Sequence, residues 1–154
     1  MTTTEKLAAI VHVVNDHTNL VSAGIIIQSA HEPPVNTHVQ YSFLVECRKF
    51  AGFFRNNRGP KRRDIVSKDY LNAKLRVKLP VWRGWHDHMN VHLMHLSYDR
   101  LNSKTQWDGH TVNDQLLDEF QRAWKLFLAN VQDPYLSEFH RQIAARESKP
   151  EYQG

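Results

Sequence analysis

The sequence predicts an all-α protein, a four- to five-helix up-and-down bundle, and three observations point there. Apolar residues recur at three- and four-residue intervals over long stretches, which is the period of a helix face. Only six glycines and six prolines punctuate 154 residues, most of them gathered at 33–34, 52–60, 80–84 and 149–154. Apolar content of 41%, with 10% aromatic, is enough for one packed core and argues against disorder along most of the chain. One helical domain over 1–147 is expected, followed by a flexible polar tail at 148–154.

The first helix is expected over about residues 4–30. Leu7, Ile10, Val14, Val21 and Ile25 keep the helical spacing, and Thr2 with Glu5 forms a capping box at its start. His31-Glu-Pro-Pro ends it, because proline excludes helical geometry from the residue before it. Asn36 is a good cap for the second helix, whose stripe reads Val39, Phe43, Cys47, Phe50 and Phe54. Between Asp64 and Pro80 the pattern weakens to one or two helical turns and a short extended piece.

A third helix opens between Pro80 and Trp85, where proline suits the first turn, and runs to about Leu101. A polar loop at 102–110 leads to a fourth helix capped by Thr111 with Asp114, its stripe being Leu117, Phe120, Trp124, Phe127 and Val131. Asp133-Pro134 breaks it. Tyr135, Leu136, Phe139 and Ile143 then mark a short fifth helix. Each helix has one apolar side, and burying those sides together makes a bundle.

The totals narrow the function classes. No signal-peptide pattern is present at the N-terminus, and no run of about 18 consecutive apolar residues occurs, so a cytoplasmic protein without a membrane span is expected. The single Cys47 has no disulfide partner in the chain and reads as a small buried hydrophobe on the second helix. Nucleotide-loop glycine spacing is absent, and neither Ser97 nor Cys47 has an orienting His/Asp set, so nucleophilic hydrolase chemistry is rejected. The formal charge is +4, and its placement matters more than its size. Arg55, Arg58, Lys61, Arg62 and Arg63 crowd into RNNRGPKRR at 55–63, a site that could contact phosphates or simply form a solvated loop.

The stretch WHDHMNVHLMHLSYDR at 85–100 places four of the chain's ten histidines within ten residues. On a helix, His88, His92, His95 and Asp99 fall within roughly 60° of one another, beside a core face of Trp82, Trp85, Met89, Leu93 and Leu96. Histidines four and three apart can converge on a divalent transition metal, with Asp99 completing the sphere or orienting a ring. No Glu-x-x-His pair of di-iron bundles, His-Glu-x-x-His or cysteine pair accompanies them, so a DinB-like metal bundle is the alternative and no cofactor is the first expectation. His86, His110 and His140 read as incidental polar residues. His12, His17 and His38 sit on other helices.

The run MNVHLMHLSYDR at 89–100 resembles the signature helix of HEPN-type domains, small all-helical bundles common in bacterial defence and toxin–antitoxin systems. Their motif is an arginine, a polar residue, then a short interval to a histidine. Asn90 matches the polar position and His95 the histidine, while Met89 stands where the arginine belongs; Arg83 to His88 has only the bare spacing. The resemblance implies metal-independent RNA cleavage at a homodimer interface, or a degenerate ribonuclease acting as an RNA-binding partner. In that chemistry Asn90 would position, His95 would move the proton of a ribose 2′-hydroxyl, and Arg100 would substitute for the missing cation. The basic run at 55–63 would hold the RNA backbone without choosing its sequence. A third reading is a non-enzymatic module, a homodimer or the partner of an operon-encoded protein, with the four tryptophans leaving room for an exposed apolar interface.

Overall fold

The computed structural model describes residues 1–29, 37–55, 64–71, 75–89 and 109–148, and among them the protein is all-helical. Five α-helices pack together: α1 (Thr3–Ser29), α2 (Thr37–Arg55), α3 (Pro80–Met89), α4 (Gly109–Leu128) and α5 (Tyr135–Glu147). No sheet is present among the described residues. One isolated bridge, Leu71 to Val131, ties the segment after α2 to the turn after α4.

α1 begins as its first residues dictate. The Thr2 backbone N–H donates to Glu5 Oε2 at 2.7 Å and the Glu5 N–H donates to Thr2 Oγ1 at 3.2 Å, closing the capping box. Its buried face, Ile10, Val13, Val14, Leu20, Ala23 and Ile27, packs against α2, α4 and α5. An 18-residue window of α1 reaches a mean hydropathy of 1.2, so by length and composition alone the helix could cross a membrane, although no long uninterrupted apolar run marks it. Gly24 sits where α1 meets α4: a Cβ there would lie 2.8 Å from Leu117 Cδ2, so a methyl group at this position would require the buried Leu117 side chain to shift.

α2 packs along α1, with Asp16 opposite Lys49 at 3.2 Å and the His17 ring 5.7 Å from that of Phe50. Its stripe is buried as the spacing predicts, Phe43, Cys47, Phe50 and Phe54 all being 2% exposed or less, with Val39 packed at the edge. These side chains join Phe53, Tyr70, Trp82, Phe120, Trp124, Phe127 and Phe139 in one aromatic core. Ring centroids lie 5.2 Å apart for Phe53 with Phe127 and 5.4 Å for Phe127 with Phe139, both edge to face, as the aromatic quadrupole prefers.

Three expectations are corrected and one resolved. Ile25, expected on the apolar face of α1, is 50% exposed, because the buried face runs through Leu20, Ala23 and Ile27 instead. α4 opens at Gly109, so Thr111 is inside its first turn and is not the cap; glycine is itself accepted at a helix start. Val131 is buried as expected but lies past the end of α4, in the bridge. Among the described residues of 64–79 the helical content is one 3-10 turn at Ser67–Asp69, followed by Tyr70, whose hydroxyl donates to the Lys6 carbonyl at 3.3 Å. Of the loop expected at 102–110, Gly109 and His110 are helical and the rest, with the His31-Glu-Pro-Pro break, the Asn36 cap and the extension of α3 to Leu101, lies outside the described residues.

Candidate functional site

α3 carries the first part of the histidine segment, and its placement depends on one buried carboxylate. Pro80 opens the helix without an N–H, and the Arg83 N–H reaches the Leu79 carbonyl at 3.0 Å. The two remaining orphan donors, Val81 N–H and Trp82 N–H, are both accepted by Glu119 of α4, through Oε1 and Oε2, each at 2.8 Å. Glu119 is 4% exposed, so a charge is buried where the positive end of a helix meets it. Trp82 then packs edge to face on Phe120 at 6.0 Å and on His86 at 5.5 Å. His86 Nδ1 lies 2.9 Å from Asp87 Oδ1 at the surface, in keeping with an incidental polar histidine.

The other sequence-predicted residues divide cleanly. Asn90, His92, His95, Asp99 and Arg100 lie outside the described residues, as does the side chain of His88, so the stripe that would bind metal and the HEPN-like trio are not placed. Among the described residues no group of three or more metal-ligating side chains comes together. Arg55 is described, exposed in the last turn of α2; Arg58, Lys61, Arg62 and Arg63, which follow it, lie outside the described residues. Trp82 and Trp124 are buried and Trp85 is half-buried, which spends those three tryptophans on packing.

Sequence reasoning missed the part played by His17. Its ring stacks on Trp124 with centroids 4.4 Å apart and planes 18° from parallel, and its Nε2 is buried without a hydrogen-bond partner. Burial lowers its pKa to about 4, so the ring is neutral at pH 7. It borders a cavity of about 480 Å³ between α1, α4 and α5, whose walls include Val14, Val21, Leu128 and Ile143. Arg146 stands at this cavity with its Nε donating to Asn15 Oδ1 at 2.7 Å. The Thr18 hydroxyl, also on the wall, is spent on the Val14 carbonyl at 2.9 Å, and although Glu147 lines the same cavity, no carboxylate among the described residues is hydrogen-bonded to the imidazole. The arrangement is therefore a packing stack beside a cavity and lacks the parts of an acid–base pair. The signal was in the sequence: position 17 continues the 10, 13, 14, 20, 24 face of α1.

Cys47 is fully buried, and burial together with the Glu46 carboxylate pushes its thiol well above the ordinary range, so it is no nucleophile. On the opposite, outward side of α2 the character is cationic. Arg48, Lys49 and Arg55 are all exposed, and the helix's single acid, Glu46, is turned inward and accepts a 2.8 Å bond from Lys49.

Compared with protein-family models, with curated proteins and with solved structures, the chain matches none. The reading of function therefore rests on the residues themselves.

Proposed function

We propose that this chain is an RNA-directed, HEPN-like helical protein of a bacterial defence or toxin–antitoxin type system, working as a homodimer in the cytoplasm and binding RNA through its phosphate backbone. The observation that supports this reading best is the end of α2. Arg55 is exposed in the last helical turn, and the chain continues from it through Arg58, Lys61, Arg62 and Arg63 with no acid before Asp64. Five cations in nine residues, begun on a helix anchored by four buried phenylalanines, are a concentrated anion site. Contacts of this kind grip phosphates and leave base identity unread.

The reading is binding rather than turnover. Met89 occupies the position of the motif arginine, and a thioether offers no charge to the phosphate oxygens during transfer. Asn90, His95 and Arg100 remain the residues to test for residual cleavage. Filter binding of a labelled single-stranded RNA at low salt is expected to show retention that falls as salt rises, with a log–log slope of about −0.7 per phosphate engaged. Arg62→Glu with Arg63→Glu should lower affinity about tenfold or more and flatten the slope. An unmutated protein that retains no RNA at low salt defeats the proposal.

A further inference from the structure

We propose that the outward face of α2, centred on Gly52 and flanked by Arg48 and Arg55, is the bed on which the phosphate backbone of RNA lies before it reaches the 55–63 run. This rests on the RNA-directed reading above and adds to it a described surface and two residues, Arg48 and Gly52, that the basic run does not include.

The starting point is a glycine that the fold does not need. Gly52 lies inside α2, where glycine destabilises a helix relative to alanine, and it adopts no left-handed conformation. A Cβ built on it meets nothing within 4 Å, and the position is exposed. Gly24 is the contrast, because there a Cβ would collide with Leu117 of the same fold. Packing therefore explains Gly24 and leaves Gly52, like Gly84 of α3, without a packing reason; what sets Gly52 apart is the pair of exposed arginines beside it.

The surroundings point to the ligand. At about 100° per residue, Gly52 lies opposite the buried Phe43, Cys47, Phe50 and Phe54, with Arg48 and Arg55 roughly 40° and 60° from it on one flank and the exposed Val45 roughly 20° away on the other side. Both arginines are exposed and have no hydrogen-bond or ion-pair partner among the described residues. Lys49, on the other flank, is held by Asp16 at 3.2 Å and Glu46 at 2.8 Å, so its charge is already answered. Seven residues separate the two arginines, about 10.5 Å along the axis, with the bare backbone of Gly52 between them. Two guanidinium forks on one line match a chain of spaced phosphates, each able to take a bidentate pair. A linear polyanion is the ligand class, and the sequence that follows Arg55 adds Arg58, Lys61, Arg62 and Arg63.

The test uses the full chain and a labelled single-stranded RNA, with a thermal melt on every variant. Gly52→Ala should raise Tm by about 2–4 °C, since it removes a helix penalty at a site with room for a methyl. Gly52→Leu should melt at or above the wild-type temperature and yet bind RNA at least about fivefold more weakly. Arg48→Ala and Arg55→Ala should each weaken binding several-fold and reduce the magnitude of the salt slope by about 0.7. If Gly52→Leu and Arg48→Ala bind within twofold of wild type while Arg62→Glu/Arg63→Glu loses affinity, the basic run binds RNA and the α2 bed is refuted. If the wild-type chain retains no RNA, both fall together. Displacement of RNA by polyglutamate at equal charge concentration, followed by tighter binding of the polypeptide than of RNA, would also overturn the assignment in favour of an acidic protein partner.

Discussion

Removing the Glu119 carboxylate should detach the N-terminus of α3 from the bundle, and the size of the effect follows from the donors left behind. Val81 N–H and Trp82 N–H have Glu119 as their acceptor, Pro80 has no N–H to contribute, and Arg83 is already satisfied by Leu79. Hydrogen bonds to a charged partner contribute about 1.5–3 kcal/mol each, and a buried donor left unpaired costs about 1–3 kcal/mol. The carboxylate also lies at the positive end of the helix, while its own burial works against it. The balance for Glu119→Ala is a loss of about 3 kcal/mol, which for a domain of this size lowers Tm by about 6–12 °C. Glu119→Gln keeps one acceptor oxygen and turns an N–H₂ toward the second donor, so it should fall between wild type and alanine. Urea melts followed by circular dichroism give the global figure, and hydrogen exchange at the Val81 and Trp82 amides localises it. If both variants lie within about 0.5 kcal/mol of wild type with those amides still protected, the bidentate cap is not what holds α3.

Gly24→Ala should destabilise the wild-type protein by about 1 kcal/mol, the overpacking against Leu117 exceeding the gain in helix propensity, and should become stabilising in a Leu117→Ala background; melts of the four proteins of the cycle decide it. His17 gives a pH dependence whose sign is fixed by its lowered pKa. The unfolded chain takes up a proton near 6.5 and the folded one only near 4, so stability is full above pH 6.5, declines as pH falls toward 4, and is lost by up to about 3 kcal/mol below that. His17→Phe, which keeps a ring against Trp124, should remove that part of the slope between pH 6.5 and 4; identical slopes in the two proteins would refute it.

The parts of this fold that are legible in the sequence are those governed by period alone. The stripes of α2 and α5, that of α4 up to Phe127, and the Thr2/Glu5 box are local patterns, and each is found where the spacing puts it. What escaped was set by residues distant in sequence. Glu119 reads as one more charge on an amphipathic helix until α3, 37 positions earlier, is packed against it, although a helix opening on proline signals that nearby donors need an outside acceptor. The stacking of His17 on Trp124 joins positions 107 apart, so period placed the histidine on the inner face without naming its neighbour. The start of α4 was misplaced because Thr111 and Asp114 imitate a cap inside a turn that Gly109 had already begun. The candidate site was legible as a charge run and a histidine segment, and the structure adds to it the orientation of α2.

That orientation sets where the exposed arginines of α2 stand. Phe43, Phe50, Phe53 and Phe54 are each buried on the inner side of α2, and a rotation of the helix by even one residue would bring aromatic surface into water. Hydrophobic burial thus fixes the angle at which Arg48, Gly52 and Arg55 are presented, long before any ligand arrives. Side chains displayed on an immobile helix lose only their own rotamer freedom on binding, whereas the same cations on a disordered segment would also have to order the backbone. The stability of the aromatic core and the affinity of the outer face are in this way properties of one helix. They are also separable by mutation, because Arg48, Gly52 and Arg55 lie more than about 100° around the helix from the centre of its buried stripe.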